Sequence, residues 1–285
     1  MQNLTRTVYG SYLQSLELLG GSFQLTPYTT LNEKFAIEGG VVPASVPEFK
    51  GWVIGNGGHT TTVGTNNIPI STPLQHEATD PCCFHHLPFV LRELTNDLTT
   101  AQQANYALRR IEEWNGIAYA AYYAKRQDSS SIAPVIQIET VASDGTATDV
   151  VFAPDSTNLS PTAKQLSATG VNVATGQLAK VTSQLDLSLD AFDITELLNA
   201  ANVIYGDTNY AIISEIGLIS GVDKTISASG SGASTFNFNE LIAAQVIEFV
   251  NCMYPLVYAS TGLELILDVG ASEPLLNISN TTTTS

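Results

Sequence analysis

YAIISEIGLISGV, residues 210–222, reads as a β-strand, because its isoleucines and valine favour a pleated, half-buried chain. The same signature recurs after Gln127 in IAPVIQIETVA (132–142), where Val135, Ile136 and Ile138 mark the alternation, and in DVVFAP (149–154), LDLSLDAF (185–192) and LELILDV (263–269). Strands outnumber helices and do not alternate with them regularly. This argues against a doubly wound parallel sheet and predicts an α+β, β-rich chain built on an antiparallel sheet or sandwich.

One long helix and shorter ones complete the expectation. Thr100 with Gln103 resembles a capping box, and Leu108, Ile111, Ala118 and Tyr122 mark one apolar stripe, so a helix is predicted from Ala101 to Arg126. Gly116 sits inside it at a cost of about 1 kcal/mol, which makes a break or close contact there plausible. A short helix over 195–204 is capped by Asp193, and Leu241–Ala259 reads as a buried helix with Ile242, Val246, Phe249 and Met253 at helical spacing, Asn239 at its start and Pro255 at its end. Gln245, Glu248, Asn251 and Pro255 argue against a membrane span there. Residues 1–98 hold most of the Gly and Pro punctuation and are expected to be a loop-rich docking region with short strands. The domain plan is therefore 1–98, the helix within 99–126, and a β-rich acidic domain over 127–285. Within that domain ISASGSGASTF (226–236) is a flexible loop and NISNTTTTS (277–285) a mobile tail.

Of 285 residues only 13% are charged, about half the usual fraction of about 25%. Yet 11 Lys and Arg against 27 Asp and Glu leave a net charge of −16. Low charge with a neutral polar surface suits subunit contacts better than a lone monomer. Nucleic-acid binding is excluded, since phosphate neutralisation needs clustered cations. Residues 1–126 carry 8 basic and 10 acidic side chains, whereas 127–285 carry 3 and 17. That asymmetry predicts two electrostatic halves, the second facing solvent, a basic partner or cations. Cys82, Cys83 and Cys252 are an odd number in a chain whose N-terminus lacks an export signal, so a reducing compartment is expected, and the N-x-S/T triplets carry no weight.

HEATDPCCFHH (76–86) gathers the chemistry. His76, Cys82, Cys83, His85 and His86, with Glu77 and Asp80 among them, are zinc-ligand types, but adjacent Cys82 and Cys83, or His85 and His86, tend to point apart instead of converging on one ion. Neither a metal nor any other cofactor is expected, and no catalytic residue is assigned. A Cys-His nucleophile would need a spatial neighbour, and IGNGGHTTTVG lacks the Lys-Ser/Thr of a phosphate loop, which leaves a tight turn between short strands. Asp186, Asp190 and Asp193 read as a solvated acidic face. Arg109, Arg110, Glu112 and Glu113 would pair along the long helix, Arg92 and Arg126 would make interface ion pairs, and TyrAlaAlaTyrTyr (119–123) would give a rigid aromatic face suited equally to core packing and to docking a partner. The expected interface set is His76, Asp80, His85, His86, Phe89, Arg92, Arg109, Trp114, Tyr119, Tyr122 and Tyr123.

PLQHEATDPCCFHHLPFVLRELTNDLTTAQQANYALRR (73–110), with GIAYAAYYAKR (116–126), resembles the central block of virion proteins of large contractile-tailed phages. YAIISEIGLISGVDK (210–224) is similar to an EIGL strand of phage tail and collar-fibre components. The resemblance implies a non-enzymatic virion subunit of a tail, baseplate or neck, made in the host cytoplasm and present in several copies. Its partners would be other phage structural proteins and copies of itself. The competing expectations are a metal- or Cys/His-dependent hydrolase and a carbohydrate- or receptor-binding fibre module.

Overall fold

The computed structural model describes residues 3–130, 132–157, 159–160 and 172–277. In chain order the elements begin with β1 (Asn3–Arg6), α1 (Val8–Leu19), α2 (Leu31–Lys34), β2 (Glu48–Gly55), β3 (His59–Val63), β4 (Pro69–Pro73), β5 (His86–Leu87) and β6 (Val90–Glu93). There follow α3 (Thr100–Gln103), β7 (Tyr106–Trp114), β8 (Ile117–Arg126), β9 (Val135–Val141), β10 (Ala147–Val151) and β11 (Asn172–Leu189). Last come α4 (Ala191–Tyr205), β12 (Ile212–Ser229), β13 (Thr235–Pro255) and β14 (Leu263–Asn277). The chain is a β-rich α+β protein with antiparallel sheets.

Two compact units form, one from residues up to Ser129 with Ser188–Leu263, the other from Ser130–Leu187 with the chain from Glu264 onward. This replaces the division at 98 and 126. In the first unit an eight-stranded sheet runs β1-β13-β12-β2-β8-β6, with β5 also on β2 and β7 on β8. The supposed docking region thus supplies an inner strand, β2, whose Trp52, Val53 and Ile54 are buried. It also supplies α1, started by Thr7, whose hydroxyl accepts from the Gly10 N–H, and ended by Gly20 at φ 64°.

The predicted long helix is a hairpin. Asn115 and Gly116 stand at φ 52° and 78°, the left-handed pair that a two-residue type I′ turn requires and that Asn-Gly supplies at least cost. Strands β7 and β8 pair from Trp114↔Ile117 outward. Only Thr100–Gln103 is helical, boxed by Thr99 and Gln102. The predicted helix over 241–259 is instead strand β13, flanked by β1 and β12. An inner strand covered on both faces reads as a continuous apolar run, which periodicity cannot separate from a buried helix. ISASGSGASTF is the closed end of the β12–β13 hairpin, where Gly230 N–H donates to the Ser234 carbonyl at 2.8 Å. The shorter helix is longer than expected and is capped by Asp190 reciprocally with Asp193. The tail from Ile278 on lies outside the described residues.

Strand β13 bulges at Ala243, which adopts φ 51°. Helix α2 fills the break. The Asn32 amide donates to the Leu241 carbonyl at 2.8 Å, and its oxygen accepts from the Ala244 N–H at 2.9 Å. Asn32→Ala orphans both buried groups, and at about 1–3 kcal/mol each it is expected to cost about 2–6 kcal/mol in urea unfolding. A loss under about 1 kcal/mol would show that the bulge holds itself.

The second unit is a four-stranded sheet ordered β10-β9-β11-β14. Lys180 lies 3.2 Å from Glu139 and 3.3 Å from Asp149, at the rim of an open groove of about 460 Å³ that Gln137, Thr182, Gln184 and Asp268 also line.

The charge asymmetry divides between the two units and, in part, between surface and interior. The first unit holds 9 basic and 19 acidic residues and the second 2 and 8, so neither unit alone carries the excess acid. Asp193, Glu196, Glu215, Glu240 and Glu248, all from the acidic half of the sequence, are buried. Cations of the first half meet several of the acids of the second: Arg92 pairs with Glu196 at 2.6 Å, Arg126 with Asp223 at 2.7 Å, and Lys125 with Asp193. Asp193 and Glu196 are thus buried pairs within one unit, while eleven of the seventeen acids after Gln127 remain exposed. Asp193 is no part of a solvated face, although Asp186 and Asp190 are exposed.

Candidate functional site

The HEATDPCCFHH segment lies against Glu215 of β12. The Glu215 carboxylate is wholly buried and accepts four hydrogen bonds. Oε1 accepts from the N–H groups of Gly57 (2.9 Å) and His85 (3.0 Å). Oε2 accepts from the Phe84 N–H (2.8 Å) and lies 2.8 Å from His76 Nε2. Four donors use the whole acceptor capacity of a carboxylate. The other ring nitrogen, His76 Nδ1, lies 2.9 Å from Asp80 Oδ2, which also accepts from the Glu77 N–H at 2.9 Å. Each nitrogen of the His76 ring therefore faces a carboxylate oxygen.

The His76 ring is also sealed above and below. It stacks between Phe84 at 4.0 Å and Phe249 at 3.8 Å, within 8° of parallel to each. Its side chain has no exposed surface. This arrangement ties the 76–85 loop to β12 and leaves neither His76 nor Glu215 a spare lone pair or N–H for a substrate.

The neighbouring groups take separate environments. His86 is buried with both ring nitrogens unpartnered, edge-on to Phe35 at 5.1 Å, and burial pushes its pKa down to about 3. His85 points outward, its Nδ1 2.7 Å from Asn56 Oδ1 and 2.9 Å from the Tyr205 hydroxyl. Burial raises the pKa of all three thiols, Cys252 to about 12, so each is held away from its thiolate. A thiol so placed is a poor nucleophile. Among the described residues no group of three or more His, Cys, Asp or Glu is placed to hold a metal ion. His76, Cys82, Cys83, His85 and His86 are close in sequence, yet the fold sends them to different surroundings.

Of the expected interface residues, His76, His86, Phe89, Arg109, Tyr122 and Tyr123 are buried within the chain and are not offered to a partner. Phe89 packs edge-on to Trp52 at 4.9 Å. Arg109 donates to Asp97 at 2.7 Å and to the Tyr122 hydroxyl at 3.2 Å, and Tyr122 donates to Asp97 at 2.7 Å. Glu112 accepts from Trp114 Nε1 at 3.0 Å and from the Tyr123 hydroxyl at 2.5 Å, so the pairs expected at helical spacing become contacts between alternate residues of a strand and its neighbour. Arg92 binds Glu196 through Nε and a terminal nitrogen. His85 is exposed, and Asp80, Arg92, Trp114 and Tyr119 keep part of their surface.

The surface feature that sequence reading passed over is the β3–β4 hairpin. It forms a two-stranded sheet of its own, and every β4 residue and all of β3 but His59 is exposed. Val63, Ile68 and Ile70 are 72%, 59% and 52% exposed. Between Lys50 and Glu77 the sequence has no Asp, Glu, Lys or Arg, and that gap is the signal that could have found it.

Fold and site together define an antiparallel-sheet α+β protein whose chemistry-bearing segment is held by the buried His76–Glu215 contact and whose projecting element is an uncharged hairpin. A family model described as a family of unknown function (DUF7208) matches residues 1–284, and the chain belongs to that family. No curated protein and no solved structure matches it.

Proposed function

We propose that the chain is a non-enzymatic structural subunit of a tailed-phage virion, acting through contacts with neighbouring subunits. The observation that carries this reading is the exposed hairpin of β3 and β4, an apolar and uncharged projection on a chain of net charge −16. Exposed apolar groups gathered on one element mark interaction surfaces. Val150, Val151 and Phe152 on and beside β10 add a second such surface, 61%, 62% and 41% exposed, on the other unit. The use of His76, Asp80 and Glu215 as a closed tie favours a structural role for the segment over the hydrolase reading. The phage context rests on the sequence resemblance, and location in the tail, baseplate or neck follows from it.

Quantitative mass spectrometry of gradient-purified particles tests the reading. The chain is expected at several copies per particle and retained through high-salt washing. Recovery only in the soluble fraction, with none on particles, would contradict it.

A further inference from the structure

Ladder geometry makes the two edges of the β3–β4 hairpin unequal. Gly64 N–H donates to the Ile68 carbonyl and Leu74 N–H to the Gly58 carbonyl, each at 2.8 Å. Antiparallel pairs alternate between bonded and non-bonded, so the intervening bonded pairs are Thr60↔Thr72 and Thr62↔Ile70. The backbone groups of His59, Thr61 and Val63 on β3, and of Pro69, Ser71 and Pro73 on β4, therefore point outward. Proline has no N–H, so β4 is closed to a further strand at both ends. The β3 edge is open, with its three outward N–H groups and, among the described residues, no strand on it.

We infer that β3 pairs antiparallel with β3 of a second copy of this chain, about a two-fold axis at Thr61, to give the four-stranded sheet β4-β3-β3-β4. This rests on the reading of the chain as an assembly subunit and names one of its partners. Three observations select a second copy as the occupant. The register with Thr61 opposite Thr61 is the one that uses every outward group, since His59 then meets Val63 of the other copy at both ends, and an isologous pairing needs that self-complementarity. Two chains of net charge −16 repel, and the stretch free of Asp, Glu, Lys and Arg between Lys50 and Glu77 is where they can approach. An isolated two-stranded hairpin is marginal in water, whereas a four-stranded sheet is not. The outer edges of the joined sheet are both β4, so the prolines stop growth at two copies.

The test is light scattering across a concentration series, with the native chain and Thr61→Pro. Proline at 61 leaves the β3–β4 ladder intact, because that N–H points away from β4. The native chain is expected to reach twice the chain mass, and Thr61→Pro, with an unchanged circular dichroism spectrum, to stay at one. A cross-linking pair guards against misfolding: in a Cys82→Ser background, Thr61→Cys should form a covalent dimer under mild oxidation, since directly opposed bonded residues lie about 5.5 Å apart between Cα atoms. Thr60→Cys should not, because its counterpart lies on a diagonal of about 7–8 Å. A native chain that stays monomeric, a dimer that survives Thr61→Pro, or equal cross-linking at 60 and 61 overturns the inference. Any of these leaves particle incorporation standing, whereas absence from particles with β3 pairing intact sinks the functional reading alone.

Discussion

Glu215→Gln is expected to destabilise the first unit by about 2–6 kcal/mol, because two buried donors lose their acceptor at about 1–3 kcal/mol each. The amide has the shape of the carboxylate but half its acceptors, and its NH₂ must face either the Gly57 and His85 N–H groups or those of Phe84 and His76. Donor then meets donor in a site without water access, and His76 is left with one carboxylate, Asp80. Urea unfolding should show a lower midpoint at unchanged slope. Limited proteolysis should cut first between His76 and His85, which Glu215 holds down. A change below about 1 kcal/mol would mean that ring stacking by Phe84 and Phe249 anchors the loop without the ionic tie.

The second large effect has the opposite sign and depends on pH. Glu240 on β13 has no exposed surface, neither carboxylate oxygen has a hydrogen-bond partner of good geometry, and burial with nearby Glu38 raises its pKa from 4.5 to about 7 against the opposing pull of Arg109 and Lys224. Between these values the folded chain keeps a proton that the unfolded chain has released. Stability from this group therefore falls as pH rises from 4.5 to 7 and is level above. At 1.36 kcal/mol per pH unit the cost above pH 7 is about 3 kcal/mol. Glu240→Gln removes it, so the variant should be more stable than the native chain by about 2–3 kcal/mol at pH 8.5 and by less than about 1 kcal/mol near pH 5. The comparison between variants isolates Glu240, because His86, held down to about 3, makes the native chain lose stability as pH falls below 6.5. Equal destabilisation by Glu240→Gln at both pH values would show a carboxylate paired with Arg109 or Lys224.

The β-rich class and the strands after Gln127 other than β13 were legible because each carries its own pattern of β-branched residues, and α4 because Asp193 stands in its first turn. The two misread helices failed for separate reasons. In 106–126 the stripe through Leu108, Ile111 and Ala118 matched helical spacing by chance, while Asn115-Gly116, a local hairpin signal, stood in its middle. In 241–255 both faces of β13 are covered, so no alternation survives, and the bulge at Ala243 shifts what phase remains. Helix α1 was marked by Thr7 and Gly20, both readable and both passed over. The tie was half legible: His76 and Asp80 are four residues apart, but Glu215 lies 139 residues from His76, a partnership only the fold makes. The charge asymmetry was legible as a largely exposed set of acids, but a count does not distinguish those from buried Asp193 and Glu196, which distant Lys125 and Arg92 match.

His76 and Glu215 are spent inside the fold, while the uncharged hairpin is the element left for contacts. Residue-resolved amide hydrogen exchange tests both parts together. Gly57, Phe84 and His85, bonded to Glu215, are expected to exchange as slowly as the core of β12, and His59, Thr61 and Val63 to exchange fast in dilute solution and slow as concentration rises. Fast exchange at Phe84 and His85, with His59, Thr61 and Val63 indifferent to concentration, would contradict it.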